Sequence, residues 1–406
     1  MVFILGFLNP SAIRQTADGI SPKGGENTHR LSRITIKCRV FLPPWGECPK
    51  SKGGCIESLF LNSSKYPTNS YIYANIFRMK KKYKWGILAP GKMSAKFTRG
   101  LKLLENVELY AVGSRDLNRA RQFAEEFGFK KYFGSYEELV SDPDLEVVYI
   151  ASPHSYHYEH TMLCLKHKKA VICEKALALN SREVESMINE AARQNVFLME
   201  ALWPPFQPIY RKTRELLLTG EPGKIVHLNA RFSFQPPFDP IDRKFNLSLG
   251  GGSLLDIGIY PVIDALYFMG APSEVKTEAS FTQTGSEDSI SIIFGYDDQR
   301  MATLYSSFRT NGGIGCDLLC ENGNLFFTRA RDMSQRLSVA LNGKEDIEYS
   351  LLPDGMGYQF EATEVMNCLD EGKLQSEVVP HSFSLNLMNT LDRIRQAAGI
   401  VYPGRD

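Results

Sequence analysis

The alternation of short apolar segments with amphipathic ones between Lys84 and Trp203 constrains the fold more than any other feature of this sequence. Five apolar segments of five to eight residues have the composition of buried strands: KWGILA, VELYAVG, EVVYIAS, AVICE and VFLMEALW. The stretches between them repeat apolar residues every three or four positions, as amphipathic helices do. Parallel strands need long crossover connections of this kind, so the pattern predicts an α/β fold with a doubly wound parallel sheet.

Capping residues mark where the helices of this region begin and end. Asp116 is expected to cap a helix that ends at Gly128. Ser135 and Asn180 are each followed three positions later by a glutamate, which is the capping-box spacing. Two further helix starts are therefore predicted at these positions.

After about residue 222 the sequence changes to consecutive strand-like segments joined by turn residues. These segments are KIVHLNARFSF, SEVKTEASFTQT, DSISIIFGY, RMATLYSSFRT and the hairpin-like GCDLLCENGNLFFTR. We predict an α+β region with a mainly antiparallel open sheet, a helix at about 253–269, and helices near 357–371 and 382–398. An uncovered sheet face is a common dimer contact, so we expect a homodimer through this sheet.

Charge divides the chain into a basic head and an acidic body. Residues 1–83 hold 13 Lys and Arg against four Asp and Glu, and the remaining residues hold 34 against 42. The head lacks a clear amphipathic period, so we expect a disordered or spurious extension. A mitochondrial presequence and a chain that begins at Met79 are the alternatives.

Several classes of protein are disfavoured by composition. The acidic body lacks the basic surface typical of nucleic-acid binding. No apolar run approaches the roughly 18 residues that span a bilayer, so we expect no membrane role. The eight cysteines form no CxxC pair and no zinc spacing. We expect no metal site, a reducing compartment and a cytoplasmic location.

The first strand and the helix after it carry a weak form of the dinucleotide-binding fingerprint. Ala89, Gly91 and Ser94 stand where the strict G-x-G-x-x-G pattern has glycines, with Lys92 and Met93 inside the turn. Such a turn lets the backbone approach a pyrophosphate at a helix N-terminus. An ordinary strand-to-helix turn is the alternative, but the position after the first strand favours cofactor binding.

The end of the second strand indicates which dinucleotide is bound. NAD-binding folds commonly place an acidic residue there for the ribose hydroxyls. This chain has Ser114 and Arg115, whose hydroxyl and guanidinium suit a 2′-phosphate, whereas Asp116 is explained by helix capping. We therefore predict an NADP-binding Rossmann domain at 84–204, followed by a substrate and dimerisation domain at 205–406.

Six segments together resemble one enzyme family. In chain order they are GILAPG, SRD, SPHSYH, CEKA, MEALW and GGGSLLDIGIYPVID. This series resembles the glucose–fructose oxidoreductase/inositol dehydrogenase (Gfo/Idh/MocA) family, and most of all its dihydrodiol and D-xylose dehydrogenase branch, over essentially all of 84–403. The resemblance implies an NADP-dependent dehydrogenase acting on a sugar such as D-xylose or on a trans-1,2-dihydrodiol.

The resemblance also implies roles for individual residues. Lys175 matches the lysine of the family's E-K-P motif beside the nicotinamide, and Tyr260 matches the tyrosine that serves as acid and base. A tyrosine can take a hydroxyl proton near neutral pH if a nearby ammonium lowers its pKa, which Lys175 would do. The other family positions are the cofactor residues His154, His157 and Glu174 and the acidic positions Asp256 and Asp264.

Aromatic residues near these segments suggest a substrate wall. Trp203 and Phe234 would offer an apolar surface to an aromatic diol, and core packing is the alternative for both. Turn capping is likewise the alternative for the two histidines.

Two departures from the family pattern leave a second hypothesis open. Ala176 replaces the proline after the motif lysine, a proline that typically follows a cis bond, so the orientation of Lys175 is left open. Pro205 replaces an arginine that the dihydrodiol dehydrogenases have after their tryptophan. The second hypothesis is a catalytically inactive NADP(H)-binding protein of the same fold.

Overall fold

The computed structural model describes residues 81–329, 334–351 and 355–405. The predicted extension over 1–83 therefore lies outside the described residues, apart from its last three positions. The described residues hold one parallel sheet and one mainly antiparallel sheet. The predicted α/β class with a second, α+β region is confirmed.

The first sheet is the predicted doubly wound parallel sheet. Its strands are β1 Tyr83–Leu88, β2 Val107–Gly113, β3 Lys131–Phe133, β4 Val147–Ile150, β5 Ala170–Glu174 and β6 Leu198–Ala201. They lie in the order β3-β2-β1-β4-β5-β6, and all pairs are parallel. The order reverses between β1 and β4, so a crevice for a ligand forms at the carboxyl ends of these two strands. The sequence pattern did not indicate the three-residue β3.

Five helices connect these strands. They are α1 Lys92–Leu101, α2 Leu117–Phe127, α3 Tyr136–Ser141, α4 His157–Lys166 and α5 Ser181–Gln194. The Asp116 carboxylate accepts the backbone N–H of Asn118 at 2.9 Å, and Gly128 ends α2 with a φ of 84°. Ser135 and Asn180 cap α3 and α5 in the same way. The predicted caps are confirmed.

The second sheet has eight strands. They are β7 Ile225–Ser233, β8 Glu274–Phe281, β9 Glu287–Gly295, β10 Met301–Ser307, β11 Gly313–Cys320, β12 Gly323–Arg329, β13 Gln335–Leu341 and β14 Ile347–Leu351. They lie in the order β14-β13-β12-β11-β7-β10-β9-β8, antiparallel except for the parallel pair β7 and β10. The sequence pattern did not indicate β13 and β14.

The remaining helices pack the two sheets into one unit. They are α6 Trp203–Phe206, α7 Pro208–Leu218, α8 Ile259–Met269, α9 Tyr358–Asp370 and α10 His381–Ala398, and a π-helical turn at Leu254–Gly258 leads into α8. Helix α8 packs on β7 and β10 of the second sheet, while α9 packs on α1 and α10 packs on α5. Helices from the second half of the chain therefore support the first sheet.

One helical run among the described residues, Leu247–Met269, is long and apolar enough to cross a membrane. Within the protein, 83% of its most apolar window is buried. The apolar composition of this run is therefore accounted for by packing in the protein core.

Candidate active site

The turn after β1 presents the backbone to a ligand. Ala89 has a φ of 67°, in the region that glycine favours, and Ser94 Oγ donates to the Ala89 carbonyl at 2.9 Å. A Cβ atom on Gly91 would meet, among the described residues, Arg119 Nη2 alone at 3.8 Å. Packing thus does not require glycine here, and the missing side chain leaves the start of α1 open. Lys92 is exposed and Met93 is half-buried at this start.

The N-terminus of α1 suits an anion. No described side chain caps this helix, and its first turn holds no acidic residue among the described side chains. Unpaired N–H groups and the helix dipole at such an end favour a phosphate group. The turn therefore fits a pyrophosphate, as the sequence predicts.

The exposed end of the crevice lies beside β2. Ser114 is buried and its Oγ accepts the Asp116 N–H at 3.2 Å, whereas Arg115 is exposed. The Arg115 guanidinium lies 5.7 Å from the centre of the Tyr156 ring. Together with His160 and other side chains, Arg115 and Tyr156 line an open groove. A cation beside an aromatic ring at this place can contact the adenosine part of a dinucleotide.

Two buried histidines lie after β4. His154 Nδ1 lies 3.1 Å from the Gly250 carbonyl oxygen, and the ring nitrogens of His157 lie 2.7 and 2.8 Å from the carbonyl oxygens of Ala176 and Ser152. Burial lowers the pKa of His154 to about 3 and that of His157 to about 4. The histidines thus join this loop to the two segments that carry the predicted catalytic residues.

Lys175 and Asp256 meet across the two halves of the chain. The Lys175 ammonium donates to the Asp256 carbonyl and lies 3.6 Å from Asp256 Oδ1. Arg243 Nη1 lies 3.0 Å from the same carboxylate oxygen. The peptide bond between Lys175 and Ala176 is cis. Both Lys175 and Asp256 are almost fully covered, whereas the Arg243 side chain is about half exposed.

The charges at this contact influence one another. Burial lowers the pKa of Lys175, and the Asp256 carboxylate opposes that shift. Burial alone would raise the pKa of Asp256, but Arg243 and Lys175 outweigh it and hold that pKa well below its usual range. Asp256 is therefore an anion throughout the neutral pH range.

Tyr260 lies next to the lysine. The Lys175 ammonium is 5.1 Å from the centre of the Tyr260 ring, on the first turn of α8. Tyr260 and Trp203 line one cavity, together with Asp264 and largely apolar side chains. The Trp203 indole N–H donates to the Met356 carbonyl at 2.9 Å, which fixes the ring. Lys175, Asp256, Tyr260 and Trp203 are thus brought together.

Phe234 and Glu174 lie further from the Tyr260 ring. The Phe232 ring packs on Tyr260 with centres 5.4 Å apart, and Phe234 packs on Phe232 at 6.2 Å. The Glu174 side chain is buried and accepts the Tyr149 hydroxyl. Burial raises the pKa of Glu174, and the Tyr149 hydrogen bond opposes that shift. Glu174 is therefore bound within the fold, behind the lysine that follows it.

Comparison with known proteins agrees with this geometry. Residues 83–202 match the family model described as "Oxidoreductase family, NAD-binding Rossmann fold", and residues 210–326 match the "GFO/IDH/MocA C-terminal domain". The trans-1,2-dihydrobenzene-1,2-diol dehydrogenase of Xenopus tropicalis is 34% identical over 331 residues, which cover 79% of this chain and 99% of that protein. This chain belongs to the Gfo/Idh/MocA oxidoreductase family. The predicted family resemblance is confirmed, and the chain is an oxidoreductase.

Two further proteins match with similar coverage. The human trans-1,2-dihydrobenzene-1,2-diol dehydrogenase is 33% identical over 340 residues, covering 79% of this chain and 98% of its own. The structure of KijD10, a 3-ketoreductase from Actinomadura kijaniata in complex with NADP and TDP-benzene, matches with a TM-score of 0.72 at 22% identity. The matched region covers 78% of this chain and 98% of the reductase. The matching family model is described as NAD-binding, so a nicotinamide dinucleotide is the supported cofactor class.

Sequence reasoning did not find every residue of the site. Arg243 lies in an irregular loop and Tyr149 lies within a buried strand, and no local pattern marks either of them as functional. Phe232 alternates with Phe234 along β7, so the strand period alone could have indicated that they face the same side. The contact of Phe232 with Tyr260 depends on how α8 packs on β7, which the strand period does not indicate.

Proposed function

We propose that this protein is an NADP-dependent dehydrogenase that oxidises a secondary alcohol, with Tyr260 as the acid–base residue. The observation that carries the proposal is the contact of Lys175 with Asp256 beside the Tyr260 ring, which itself lines a cavity together with Trp203. When bound, the nicotinamide supplies the hydride acceptor. Tyr260 takes the hydroxyl proton, and the Lys175 ammonium stabilises the negative charge of the phenolate that receives it.

The substrate classes we propose are a D-xylose-like sugar and a trans-1,2-dihydrodiol. Relatives that align over almost their whole length carry the name trans-1,2-dihydrobenzene-1,2-diol dehydrogenase, which supports the diol. The narrow cavity beside Tyr260 is lined by the apolar side chains Trp203, Ile209, Ile314 and Phe327, which give this side of Tyr260 an apolar character. The polar side chains of Arg231 and Thr328 in the same lining suit sugar hydroxyls.

The choice of NADP over NAD is supported by the region after β2. Asp116 is oriented towards its own helix, since its carboxylate accepts the N–H groups of Asn118 and Arg119. Arg115 is exposed at the groove and offers a planar cation to a 2′-phosphate. A carboxylate that binds ribose hydroxyls would be expected in its place for NAD.

The direct test is NADPH formation by the purified full-length chain. D-xylose and a trans-1,2-dihydrodiol are supplied separately with NADP⁺, and the same assay is repeated with NAD⁺. We expect turnover with at least one substrate and a preference for NADP⁺. Thermal stabilisation by NADP⁺ without turnover on either substrate would favour the second hypothesis, an inactive NADP(H)-binding protein.

We also propose that the protein is a homodimer through the outer face of the second sheet. Ile293 and Met301 on this face are about half exposed, whereas their neighbours Ile292 and Ala302 are buried on the inner face. Light scattering should give twice the chain mass for the wild type and a smaller mass for Ile293→Glu. Leu218→Glu, on an exposed apolar residue of α7, is the matched control and should remain dimeric.

A further inference from the structure

The loop between β7 and the π-helical turn is folded onto the glycine triplet that precedes Asp256. The N–H groups of Gly251 and Gly252 donate to the carbonyl oxygens of Asn246 at 2.9 Å and Lys244 at 2.8 Å. A Cβ atom on Gly251 would lie 2.9 Å from the Arg243 carbonyl oxygen. Glycine at 251 therefore permits this close packing, which fixes the backbone that carries Arg243.

The fixed loop directs Arg243 to the carboxylate that also binds Lys175. Arg243 Nη1 and Lys175 Nζ lie 3.0 and 3.6 Å from Asp256 Oδ1, so two cations share one oxygen. The Asp256 side chain is 10% exposed and that of Arg243 is 48% exposed. Arg243 thus covers the solvent side of the pair. A carboxylate that is shared by two cations neutralises each of them less completely than a carboxylate that is paired with one cation alone.

We propose that Arg243 is a positioning residue that acts through Asp256 on Lys175, holding the carboxylate in place and setting how strongly Lys175 is held as an ammonium. This role deepens the proposed function, because Lys175 is the group that stabilises charge on Tyr260. Arg243 itself is not required to touch the substrate.

The other charged groups around Lys175 come from separate elements. Glu174 precedes it on β5, and His154 and His157 lie behind it after β4, both with their pKa lowered by burial. The Tyr260 ring faces it from α8. Of the two side chains that meet at Asp256 Oδ1, the Asp256 carboxylate raises the pKa of Lys175 and the Arg243 guanidinium lowers it. Removal of Arg243 should therefore leave Lys175 more fully protonated, and removal of Asp256 should do the opposite.

The test measures the reactivity of Lys175 itself, without cofactor or substrate. Only an unprotonated amine reacts with acetic anhydride, so the rate of Lys175 acetylation at pH 8, followed by mass spectrometry, reports its protonation state. Arg243→Gln should slow this rate about fivefold, because a neighbouring positive charge is lost. Arg243→Lys keeps the charge and should stay within about twofold of wild type.

Controls separate this role from loss of structure. Lys244→Gln removes a cation from the same loop, where Lys244 pairs with Asp242 at 2.6 Å, and should leave Lys175 unchanged. An unchanged or faster rate in folded Arg243→Gln would overturn the proposal, as would an equal slowing in Lys244→Gln. If Arg243→Gln does not fold, the test is made with Asp256→Asn. Loss of the shared carboxylate should make acetylation of Lys175 several-fold faster. An unchanged rate in this variant would overturn the coupling.

Turnover gives an independent readout. Where a substrate is found, Arg243→Gln should lower kcat about tenfold, because the Asp256 carboxylate that positions the Lys175 ammonium is no longer held by Arg243, and should leave the Kd for NADP⁺ unchanged. Failure of the proposed function would appear as no turnover in the wild type, whereas failure of this inference would appear in the acetylation rates.

Discussion

The two ends of the crevice are built differently. At the end proposed to bind adenosine, Arg115 follows β2 and Tyr156 follows β4 at the edge of the parallel sheet, and the Arg115 side chain is exposed. At the end proposed to be catalytic, Lys175, Asp256 and Arg243 come from distant parts of the chain, and Lys175 and Asp256 meet largely out of water. Exposed charges are screened and free to adapt, whereas buried charges persist only if they are paired. The first end therefore suits cofactor selection, and the second suits chemistry.

The largest effect is expected from removing the buried ammonium. Lys175→Met should lower kcat about 100- to 1,000-fold, because without this cation Tyr260 less readily becomes the phenolate that takes the substrate proton. The Kd for NADP⁺, measured by fluorescence titration, should change less than threefold. Lys276→Met, at an exposed lysine of the second sheet, is the control. A loss of cofactor affinity equal to the loss in kcat would contradict the division between the two ends.

The adenosine end is tested by Arg115→Leu. This change should raise the Kd for NADP⁺ about 10- to 100-fold, the effect of losing charge-assisted hydrogen bonds to a phosphate. The Kd for NAD⁺ and the kcat at saturating NADP⁺ should stay within about twofold. Arg121→Leu removes the same charge from the exposed face of α2 and is the control. Equal weakening of both dinucleotides would show that Arg115 does not read the 2′-phosphate.

The stability of the protein should depend on pH through Glu287, which holds the turn that carries Asp256. Glu287 accepts the Leu254 N–H at 2.7 Å, at the start of the turn that carries Asp256, and burial raises the pKa of Glu287 to about 8. The unfolded chain releases this proton at lower pH than the folded chain. The contribution of protonated Glu287 to the free energy of unfolding is therefore complete below about pH 4.5 and is lost as pH rises towards 8.

The measurement is a series of melting temperatures for wild type and Glu287→Gln between pH 5 and pH 8.5. The melting temperature of the wild type should fall relative to that of the variant as pH rises. A constant difference across this range would show that Glu287 does not titrate differently in the folded protein.

The smallest effect is expected in the turn that we propose binds the pyrophosphate. Ala89 has a positive φ, a conformation that costs an alanine about 1 kcal/mol more than a glycine. Ala89→Gly regains that energy but also gains entropy in the unfolded chain, so the net stabilisation should stay below about 1 kcal/mol. The melting temperature should rise by no more than a few degrees, with turnover unchanged. A fall in melting temperature would contradict this view of the turn.

The contrast between local contacts and contacts formed by tertiary packing explains which parts of the site the sequence could predict. The caps at Asp116 and Gly128 and the turn at Ala89 and Gly91 depend on neighbouring residues, so local patterns indicate them. Lys175 and Tyr260 were assigned through family resemblance, because no local rule relates residues 85 positions apart. The strand β3 was missed because three residues are too short to show a period.

Arg243 was missed for a different reason. Its partner Asp256 is 13 positions away across an irregular loop, and the contact exists only because the glycine triplet lets that loop pack closely. Neither helix nor strand periodicity applies there. Electrostatic contacts assembled by tertiary packing are therefore the part of this site that required the structure.

The most direct test of the account is Tyr260→Phe, with turnover and cofactor binding measured on the same preparation. The account predicts that kcat falls at least about 100-fold, because the proton acceptor is lost, while the Kd for NADP⁺ stays within about twofold. Retained turnover in Tyr260→Phe would contradict the assignment of the acid–base residue. A parallel loss of NADP⁺ binding would show instead that Tyr260 supports the fold of the crevice.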